Sequence, residues 1–220
     1  MSFEPADAGD ADVDIMGDAT RDRVFLAAEA LFAAHGFQAV SVRDITAEAG
    51  VNLAAVNYHF GSKDGLLFEI FRRRTAELNR TRARLLHQAT DAHGGAPPVR
   101  AILEALIEPP ARWLDPKGER LIAIQFLIRA RSEGTEAMRE ALRTDVSHLR
   151  RFADALIAAC PRLEPAEVYW RLHFTLGMIH QNRSSELERL KALSGGSAEA
   201  LDIDALVRRL VDFAEAGFRA

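Results

Sequence analysis

The chain has 220 residues, 48% hydrophobic and 27% charged, which is enough to bury a core in one large domain or two small ones. No apolar run approaches the roughly 20 residues that a membrane span needs. The acidic N-terminus lacks the apolar region of a signal peptide. The one cysteine, Cys160, excludes an internal disulfide. We therefore expect a cytoplasmic protein without membrane association.

The net charge of −4 at pH 7 conceals an acidic N-terminal segment. Residues 1–18 contain six Asp and Glu side chains, no Lys or Arg, and few large apolar groups. Such a composition cannot bury enough apolar surface to fold. We predict a disordered tail over 1–18 that keeps the protein soluble. Competition with a partner for a basic surface is the alternative.

From Thr20 onward the apolar residues recur at helical spacing, and no segment alternates as a strand would, so we predict an all-α fold. The first helix should run from Thr20 to His35, where Gly36 can end it. After the tail, we divide the chain into a three-helix unit over 19–66 and a helical body over 67–220.

The second and third helices have the spacing of a helix-turn-helix. Ser41 followed by Asp44 predicts a capping box at the start of a second helix, which ends at Gly50. Asn52 is then placed to cap a third helix over about 53–60. Two short helices joined by a Gly-containing turn of this length are typical of the motif.

Longer helices follow the motif. They are predicted at about 62–88, 98–114, 119–132, 135–160, 165–189 and 201–218. The pair Pro109-Pro110 should end or sharply kink the second of these helices. The stretch TDAHGGAPP at 90–98 is the first plausible linker.

The side chains of helix 53–60 sort into two faces at about 100° per residue. Val56 and Phe60 share the face that should pack on the other helices, whereas Asn57 and Tyr58 lie with small residues on the opposite side. An Asn amide can bond both N6 and N7 of adenine, and a Tyr hydroxyl can reach a phosphate oxygen. The exposed face is therefore suited to reading DNA, although a pure packing module would have the same helix spacing.

Positive charge lies beside this helix rather than on it. Arg43 and Lys63 each occupy the first turn of a helix, where free N–H groups and the helix dipole also favour a phosphate. His59 is either a phosphate contact or a buried, hydrogen-bonded histidine. The fourth helix carries arginines that either add to the field facing DNA or form a solvated face with ion pairs inside the dimer. These are Arg72, Arg73, Arg74, Arg80, Arg82 and Arg84.

The segment SVRDITAEAGVNLAAVNYHFGSKDGLL (41–67) resembles the DNA-binding signature of the TetR/AcrR family of bacterial transcriptional regulators. The Ala-Gly-Val turn, the His-Phe pair that ends the recognition helix, and the Lys and Leu beyond it all fall in register. Thr46 stands in place of the usual Ala and Ala54-Ala55 in place of the usual Gly-Thr, so the preferred DNA sequence should differ. The candidate DNA-binding residues are Ser41, Arg43, Asn52, Leu53, Ala54, Ala55, Asn57, Tyr58, His59 and Lys63.

The resemblance implies a homodimer that binds a palindromic operator in double-stranded DNA. Apolar stripes on helices 165–189 and 201–218 agree with a four-helix interface across a two-fold axis. Candidate interface residues are Val168, Leu172, His173, Leu176, Gly177, His180, Leu210 and Ala214. For the two histidines we expect hydrogen bonds across the interface and not a metal site, because no Cys or carboxylate completes a ligand set.

The resemblance also implies a small-molecule effector that binds in the helical body and shifts the spacing of the two DNA-binding units. The C-terminal body is similar to that of the fatty-acid-responsive, PsrA-like branch of the family, which implies a fatty acid or acyl-CoA. Candidate ligand-binding residues are Ile102, Leu106, Trp113, Gln125, Arg129 and Phe152. Arg129 could hold a carboxylate bidentately; a salt bridge at the surface or an interface is the alternative.

Enzymatic activity is not expected, because the sequence has no Gly-rich phosphate loop, nucleophile elbow or paired metal motif. We expect no cofactor and no metal. The predicted function is that of a ligand-responsive repressor. An activator of the same fold and a helical adaptor that binds only protein are the alternatives, and an adaptor would show no salt-dependent DNA binding.

Overall fold

The computed structural model describes residues 9–181, 184–198 and 202–219, and their side chains from residue 18 onward except at 180, 184 and 185. Within these ranges all regular structure is helical, which confirms the all-α prediction. No helix there is both long and apolar enough to cross a membrane. The helices are α1 Gly9–His35, α2 Val42–Ala49, α3 Ala54–Phe60, α4 Lys63–Ala92, α5 Val99–Arg112, α6 Leu121–Glu133, α7 Glu136–Thr144, α8 Ser147–Ala159, α9 Pro165–His180, α10 Ser184–Leu193 and α11 Ile203–Arg219.

Helix α1 begins earlier than predicted, and this corrects the disordered tail proposed for residues 1–18. The helix includes residues 9–18, while residues 1–8 lie outside the described ranges. Acidic side chains are favourable near a helix N-terminus because they complement the positive end of the dipole, and alanine has the highest helix propensity. The same acidic composition that suggested disorder is therefore compatible with the first turns of a long helix.

Two of the predicted helices are each divided in two. The segment predicted as 135–160 forms α7 and α8, and that predicted as 165–189 forms α9 and α10. Local side-chain bonds accompany the first break: the Thr144 hydroxyl donates to the Glu140 carbonyl over 2.9 Å, and the Ser147 hydroxyl donates to the Asp145 carboxylate over 3.2 Å. Such bonds compete with the helical pattern, and hydrophobic periodicity alone does not reveal them.

The chain forms two compact units. The head unit extends to Arg74 and also contains Gln125–Arg139, and the body unit contains Thr75–Ile124 and the chain from Glu140 onward. The head unit is therefore larger than the 19–66 predicted from sequence, because it includes the start of α4, the end of α6 and the start of α7. A segment remote in sequence completes it.

Three phenylalanines bring this remote segment into the core of the head unit. Phe126 of α6 lies 6.4 Å from Phe32 of α1 and 5.1 Å from Phe37, measured between ring centroids. All three rings are fully buried, as are Ile45 of α2 and Val56 of α3. Aromatic pairs at such distances add attraction beyond the area that they bury.

The core of the body unit is built from α4, α5, α8, α9 and α11. It contains four of the residues predicted to form the dimer interface, namely Val168, Leu172, Leu210 and Ala214, which are 0–7% exposed. This corrects their assignment: the apolar stripes of α9 and α11 pack within the protomer, and these side chains have no surface left for a second copy. A stripe of buried apolar residues looks the same in sequence whichever surface covers it.

Helix α5 continues to Arg112 through Pro109 and Pro110, so the helix does not end at these prolines. Proline has no N–H, and the Leu106 carbonyl, four residues before Pro110, therefore lacks its usual helical donor. Arg82 of α4 supplies one instead: its Nε donates to this carbonyl over 3.0 Å, and the whole bond is buried. A side chain predicted to face DNA or solvent thus satisfies a core carbonyl.

We expect Arg82→Met to lower the free energy of unfolding by about 3 kcal/mol, since it leaves a buried carbonyl without this donor. In a Pro110→Ala background the cost should fall by about 1 kcal/mol, because the N–H of the new alanine can reach the Leu106 carbonyl. Urea unfolding of the wild type, both single variants and the double variant measures this coupling. An equal cost of Arg82→Met in the two backgrounds would contradict the assignment.

Candidate nucleic-acid interface

The second helix of the motif starts with the predicted capping box. The Ser41 hydroxyl accepts the N–H of Asp44 over 3.2 Å, and the Asp44 carboxylate accepts the Ser41 N–H over 2.8 Å. Hydrogen bonds from the hydroxyl and then the amide of Ser41 lower the pKa of the Asp44 carboxyl. The cap is therefore complete at neutral pH, and its contribution is lost as the pH falls through the folded-state pKa.

The turn between α2 and α3 requires a glycine. Gly50 has φ +63° and ψ +42°, the left-handed conformation that lets its N–H return to the end of α2. Asn52 then accepts the N–H of Ala55 on its side-chain oxygen over 3.0 Å, as predicted for a cap. Helix α3 is anchored from below by Val56, which is fully buried.

The opposite side of α3 is open. Tyr58 is 84% exposed and Leu53 is 50% exposed, and Ala54 and Asn57 are exposed beside them. Ala55 is half-buried. A large, mostly exposed aromatic ring next to small side chains leaves the helix backbone accessible to a flat or grooved partner.

His59 lies between the two sides of α3. It is half-buried, and its ring centroid is 4.9 Å from that of Tyr58 and 6.2 Å from that of Phe60, both with the edges towards the faces. Its nitrogens have no hydrogen-bond partner among the described residues. The hydrogen-bonded core histidine that the sequence offered as one interpretation is therefore not found, and the phosphate contact stays a prediction.

Two cations flank the open side of α3. Arg43 is exposed on the first turn of α2, and Lys63 is half-buried at the start of α4 with its Nζ 5.8 Å from the ring centroid of Phe32. Within the described ranges neither of them forms an ion pair. The Ser62 hydroxyl caps α4 by accepting the Gly65 N–H over 3.0 Å. Lys63 is the first residue of this helix, so its charge lies beside the first backbone amides of α4.

The arginines at the start of α4 are used within the head unit. Arg74 pairs with the buried carboxylate of Glu29 on α1 over 2.6 Å. Arg72 and Arg73 both pair with Glu69, at 2.9 and 3.2 Å. These three side chains therefore form ion pairs within one protomer, whereas Arg43 and Lys63 form none among the described residues.

Arg129 also has a structural role, which corrects its assignment as a ligand-binding residue. Its guanidinium donates to the backbone carbonyls of Ala33 and Ala34 at the end of α1, over 2.8 and 3.1 Å, and pairs with Glu133 over 2.8 Å. Glu133 accepts in turn the N–H of Phe37 over 2.8 Å. The end of α6 thereby binds the turn that follows α1.

Gly36 allows this contact. Its φ of +89° is strained for other residues, and a Cβ placed on it would lie 2.9 Å from a Glu133 carboxylate oxygen. The sequence analysis did not identify Glu133. The four-residue spacing of Arg129 and Glu133 predicts an ion pair on α6, but nothing in the sequence connects that pair to residues almost a hundred positions earlier.

The remaining candidate residues lie in several places. Ile102, Leu106 and Phe152 are buried in the core of the body unit, Trp113 is 8% exposed, and Gln125 is half-buried in the head unit. His173 and Gly177 are exposed on α9 and Leu176 is half-buried, whereas the side chain of His180 lies outside the described residues. Among the side chains that are described, no three His, Cys, Asp or Glu groups are placed to hold a metal ion.

Exposed aromatic side chains on α9 were missed by the sequence analysis. Tyr169, Trp170 and Phe174 are 51–64% exposed, and the rings of Trp170 and Phe174 stack with centroids 5.9 Å apart. We call these three side chains the aromatic face. They occupy positions adjacent to the buried stripe, so counting the residues off that stripe could have identified them.

Comparison with known proteins supports the family resemblance that residues 41–67 indicated. Residues 25–70 match a family described as bacterial regulatory proteins, tetR family, and residues 104–217 match the tetracyclin repressor-like C-terminal domain. The second match alone covers more than half of the chain. No curated protein matches the chain in sequence.

Three solved structures share the fold. A TetR-like transcriptional regulator from Rhodococcus sp. RHA1 is 17% identical with a TM-score of 0.61, over 91% of this chain and 96% of its own. The fatty acid degradation regulator FadR from Bacillus halodurans is 15% identical with a TM-score of 0.56, over 88% and 93%. A gamma-butyrolactone receptor, an ArpA-like protein, is 21% identical with a TM-score of 0.54, over 92% and 98%. At these identities the likeness establishes the fold alone.

We expect Glu133→Ala to expose the Phe37 amide to solvent exchange and to lower the free energy of unfolding by about 1–2 kcal/mol, because a hydrogen bond to a charged, partly exposed acceptor is lost. Glu136→Ala is the matched control, since the Glu136 side chain is 68% exposed. Amide hydrogen exchange resolved at Phe37 is the measurement. Unchanged protection of this amide in Glu133→Ala would show that the carboxylate does not hold the turn.

Proposed function

Because the chain belongs to the TetR family of bacterial regulatory proteins, we propose that it is a sequence-specific repressor that binds a palindromic operator as a homodimer and is released by a small molecule. Such a protein acts on the chromosome and therefore in the cytoplasm. The observation that carries the proposal is the open side of α3, where an 84% exposed tyrosine and an exposed asparagine stand over a helix anchored by fully buried Val56.

The side chains of the candidate interface then divide by role. Asn57 and Ala54 are placed to meet base edges in the major groove, through an amide and a methyl group respectively. Tyr58, Arg43 and Lys63 supply a hydroxyl and two cations for phosphates, which set affinity and register without reading sequence. Ser41 and Asn52 act chiefly through the helices that they cap.

For the dimer contact we propose the aromatic face together with Phe213 of α11, which is 75% exposed. His173 and Gly177 lie on the same exposed part of α9 and remain interface candidates. Four large exposed aromatic side chains on the two helices form a surface that a monomer seldom leaves open to water. An isologous contact through α9 and α11 would present two copies of α3 to two half-sites.

For the effector we propose an amphipathic molecule with an acyl chain, such as a fatty acid or acyl-CoA, bound in the body unit. A regulator of fatty acid degradation and a receptor for gamma-butyrolactones share this fold. Apolar side chains of the kind that would contact an acyl chain occur in the core of the body unit, where Ile102, Leu106 and Phe152 are buried.

Selection from a random double-stranded DNA library, with the full-length protein, tests the proposed function directly. We expect an enriched inverted repeat whose affinity falls steeply as salt is raised, because Arg43 and Lys63 of each copy displace counterions. Absence of any enriched sequence, or binding that is independent of salt, would favour an adaptor that binds only protein.

On the selected operator, Tyr58→Phe should weaken binding about three- to tenfold for every sequence, since it removes one phosphate hydrogen bond. Asn57→Ala should instead lower discrimination at particular base pairs by about tenfold. Titration against the operator and against single-base-pair variants separates the two effects. If both variants retain the affinity and the sequence preference of the wild type, α3 is not the reading helix.

We expect Phe174→Glu to raise the dimer dissociation constant at least about tenfold, because it places a charge in the aromatic face. Leu26→Glu is the matched control: Leu26 is 58% exposed and lies outside α9 and α11. Sedimentation velocity over a range of concentrations measures both variants. A Phe174→Glu protein that associates as the wild type does would remove the aromatic face from the interface.

A further inference from the structure

A cleft of about 370 Å³ opens in the head unit and has Lys63 of the candidate nucleic-acid interface in its lining. Three segments line it: the turn after α1, the first turn of α4, and the turn between α6 and α7 with the start of α7. All three belong to the head unit, so the cleft lies within one compact unit. Binding sites for small molecules begin at about 300 Å³, and the cleft therefore has room for a small ligand.

One part of the lining is fixed by bonds within the protein. Glu133 accepts the N–H of Phe37 over 2.8 Å. Arg139 donates to the Gly134 carbonyl and pairs with Glu136 over 2.8 Å. These polar groups already have partners, so they shape the cleft and are not the groups that a ligand would use first.

The rest of the lining carries three different polar groups without such partners. The side chains of Gln38, Lys63 and Asp64 form no hydrogen bond or ion pair with any other described residue. Gln38 and Asp64 are exposed, whereas Lys63 is half-buried with its Nζ 5.8 Å from the ring centroid of Phe32. A ligand can therefore bond an amide, an ammonium group and a carboxylate here without breaking a bond of the fold.

The charges of the lining select the kind of ligand. Two cations and three carboxylates line the cleft, which gives a net charge of −1. A simple anion would meet the three carboxylates, and a simple cation would meet the two positive groups. A zwitterion instead offers opposite charges to Lys63 and Asp64 together, and each of these charge-assisted bonds is stronger than a neutral one. Since Lys63 and Asp64 are adjacent in sequence, the two charges of the ligand should also be close together.

We propose that this cleft binds a free α-amino acid with a polar side chain. Lys63 pairs with its carboxylate, Asp64 with its ammonium group, and Gln38 with its side chain. Because Lys63 is also a candidate phosphate contact, an amino acid in the cleft withdraws this cation from DNA. That effect on DNA rests on the proposed function, whereas binding of the amino acid does not. The site is separate from the acyl effector proposed for the body unit.

The test uses L-glutamine as the probe and two analogues that each lack one of its charges. Glutaramate lacks the ammonium group, and γ-aminobutyramide lacks the carboxylate. The full-length protein, free of DNA, is titrated with each compound while its backbone amide NMR signals are followed. We expect one saturable L-glutamine site per chain, and at least about tenfold weaker binding of either analogue, because each leaves one charge of the cleft unpaired. Equal binding of the three compounds, or no saturable change at Gln38, Lys63 and Asp64, would overturn the proposal.

Asp64→Asn should lower the affinity for L-glutamine about tenfold, because a neutral amide of the same shape replaces the carboxylate. Asp64 is exposed, so the variant should fold as the wild type does, which thermal unfolding checks. Glu48→Gln is the matched control: Glu48 is an exposed carboxylate of the head unit that does not line the cleft. An affinity that is unchanged in Asp64→Asn, or that falls equally in both variants, would show that the ammonium group is not bound at Asp64.

Operator binding tests the link to DNA. In the wild type, L-glutamine should weaken operator binding about three- to tenfold and reduce the salt dependence by about one released counterion per subunit, since Lys63 no longer meets a phosphate. At the same concentration of L-glutamine, Asp64→Asn should show neither change. If L-glutamine binds the cleft but leaves operator affinity as it was, the withdrawal of Lys63 from DNA is wrong.

The same measurements separate this inference from the proposed function. If the wild type binds an operator but its cleft takes up no L-glutamine, the regulator proposal stands and the amino-acid site fails. If L-glutamine is bound through Asp64 but no operator is found, the amino-acid site stands and the regulator proposal fails.

Discussion

A helix of seven residues cannot maintain its shape in water, and α3 has only seven. Its conformation must be imposed by its neighbours. Asn52 fixes its first turn, Val56 ties it to the buried core, and α2 determines where that first turn begins. The exposed positions are thus free to be chosen for recognition, because none of them is needed to keep the helix folded. This separation allows the exposed positions Ala54, Asn57 and Tyr58 to differ from those of related proteins without unfolding the helix.

The scaffold in turn depends on a segment about ninety residues away. Phe126 completes the aromatic cluster under α1, and Arg129 with Glu133 binds the carbonyls and the amide at the turn after α1. Backbone groups at a helix end have no partners within the helix and must find them elsewhere. Here they find them on α6, so the position of the reading helix depends on α6 as well as on the motif itself.

How far the sequence predicts these features depends on whether the cause is local. The capping box, the left-handed Gly50 and the two faces of α3 involve residues only a few positions apart, and all were predictable from sequence. The Arg129 contact, the burial of Val168 and Leu210, and the pairing of Arg74 with Glu29 involve partners from distant helices. Periodicity identifies a face that will be buried, but it does not identify the surface that buries it. For that reason the buried stripe of α9 was assigned to an interface, and the exposed aromatic side chains beside it were missed.

Pro110 and Arg82 show how two errors of this kind can have one origin. Taken alone, the proline predicts the end of a helix, and the arginine, in a row of six, predicts an exposed basic face. The two residues are linked through one carbonyl. Pro110 has no N–H to donate to the Leu106 carbonyl, and the Arg82 guanidinium donates to it instead. The helix can therefore continue past its prolines, at the expense of burying a cation in the body. A buried cation stabilises a fold weakly, but it discriminates strongly among the groups that approach it. The same bond that lets α5 run to Arg112 thus also fixes a guanidinium in the core of the body unit.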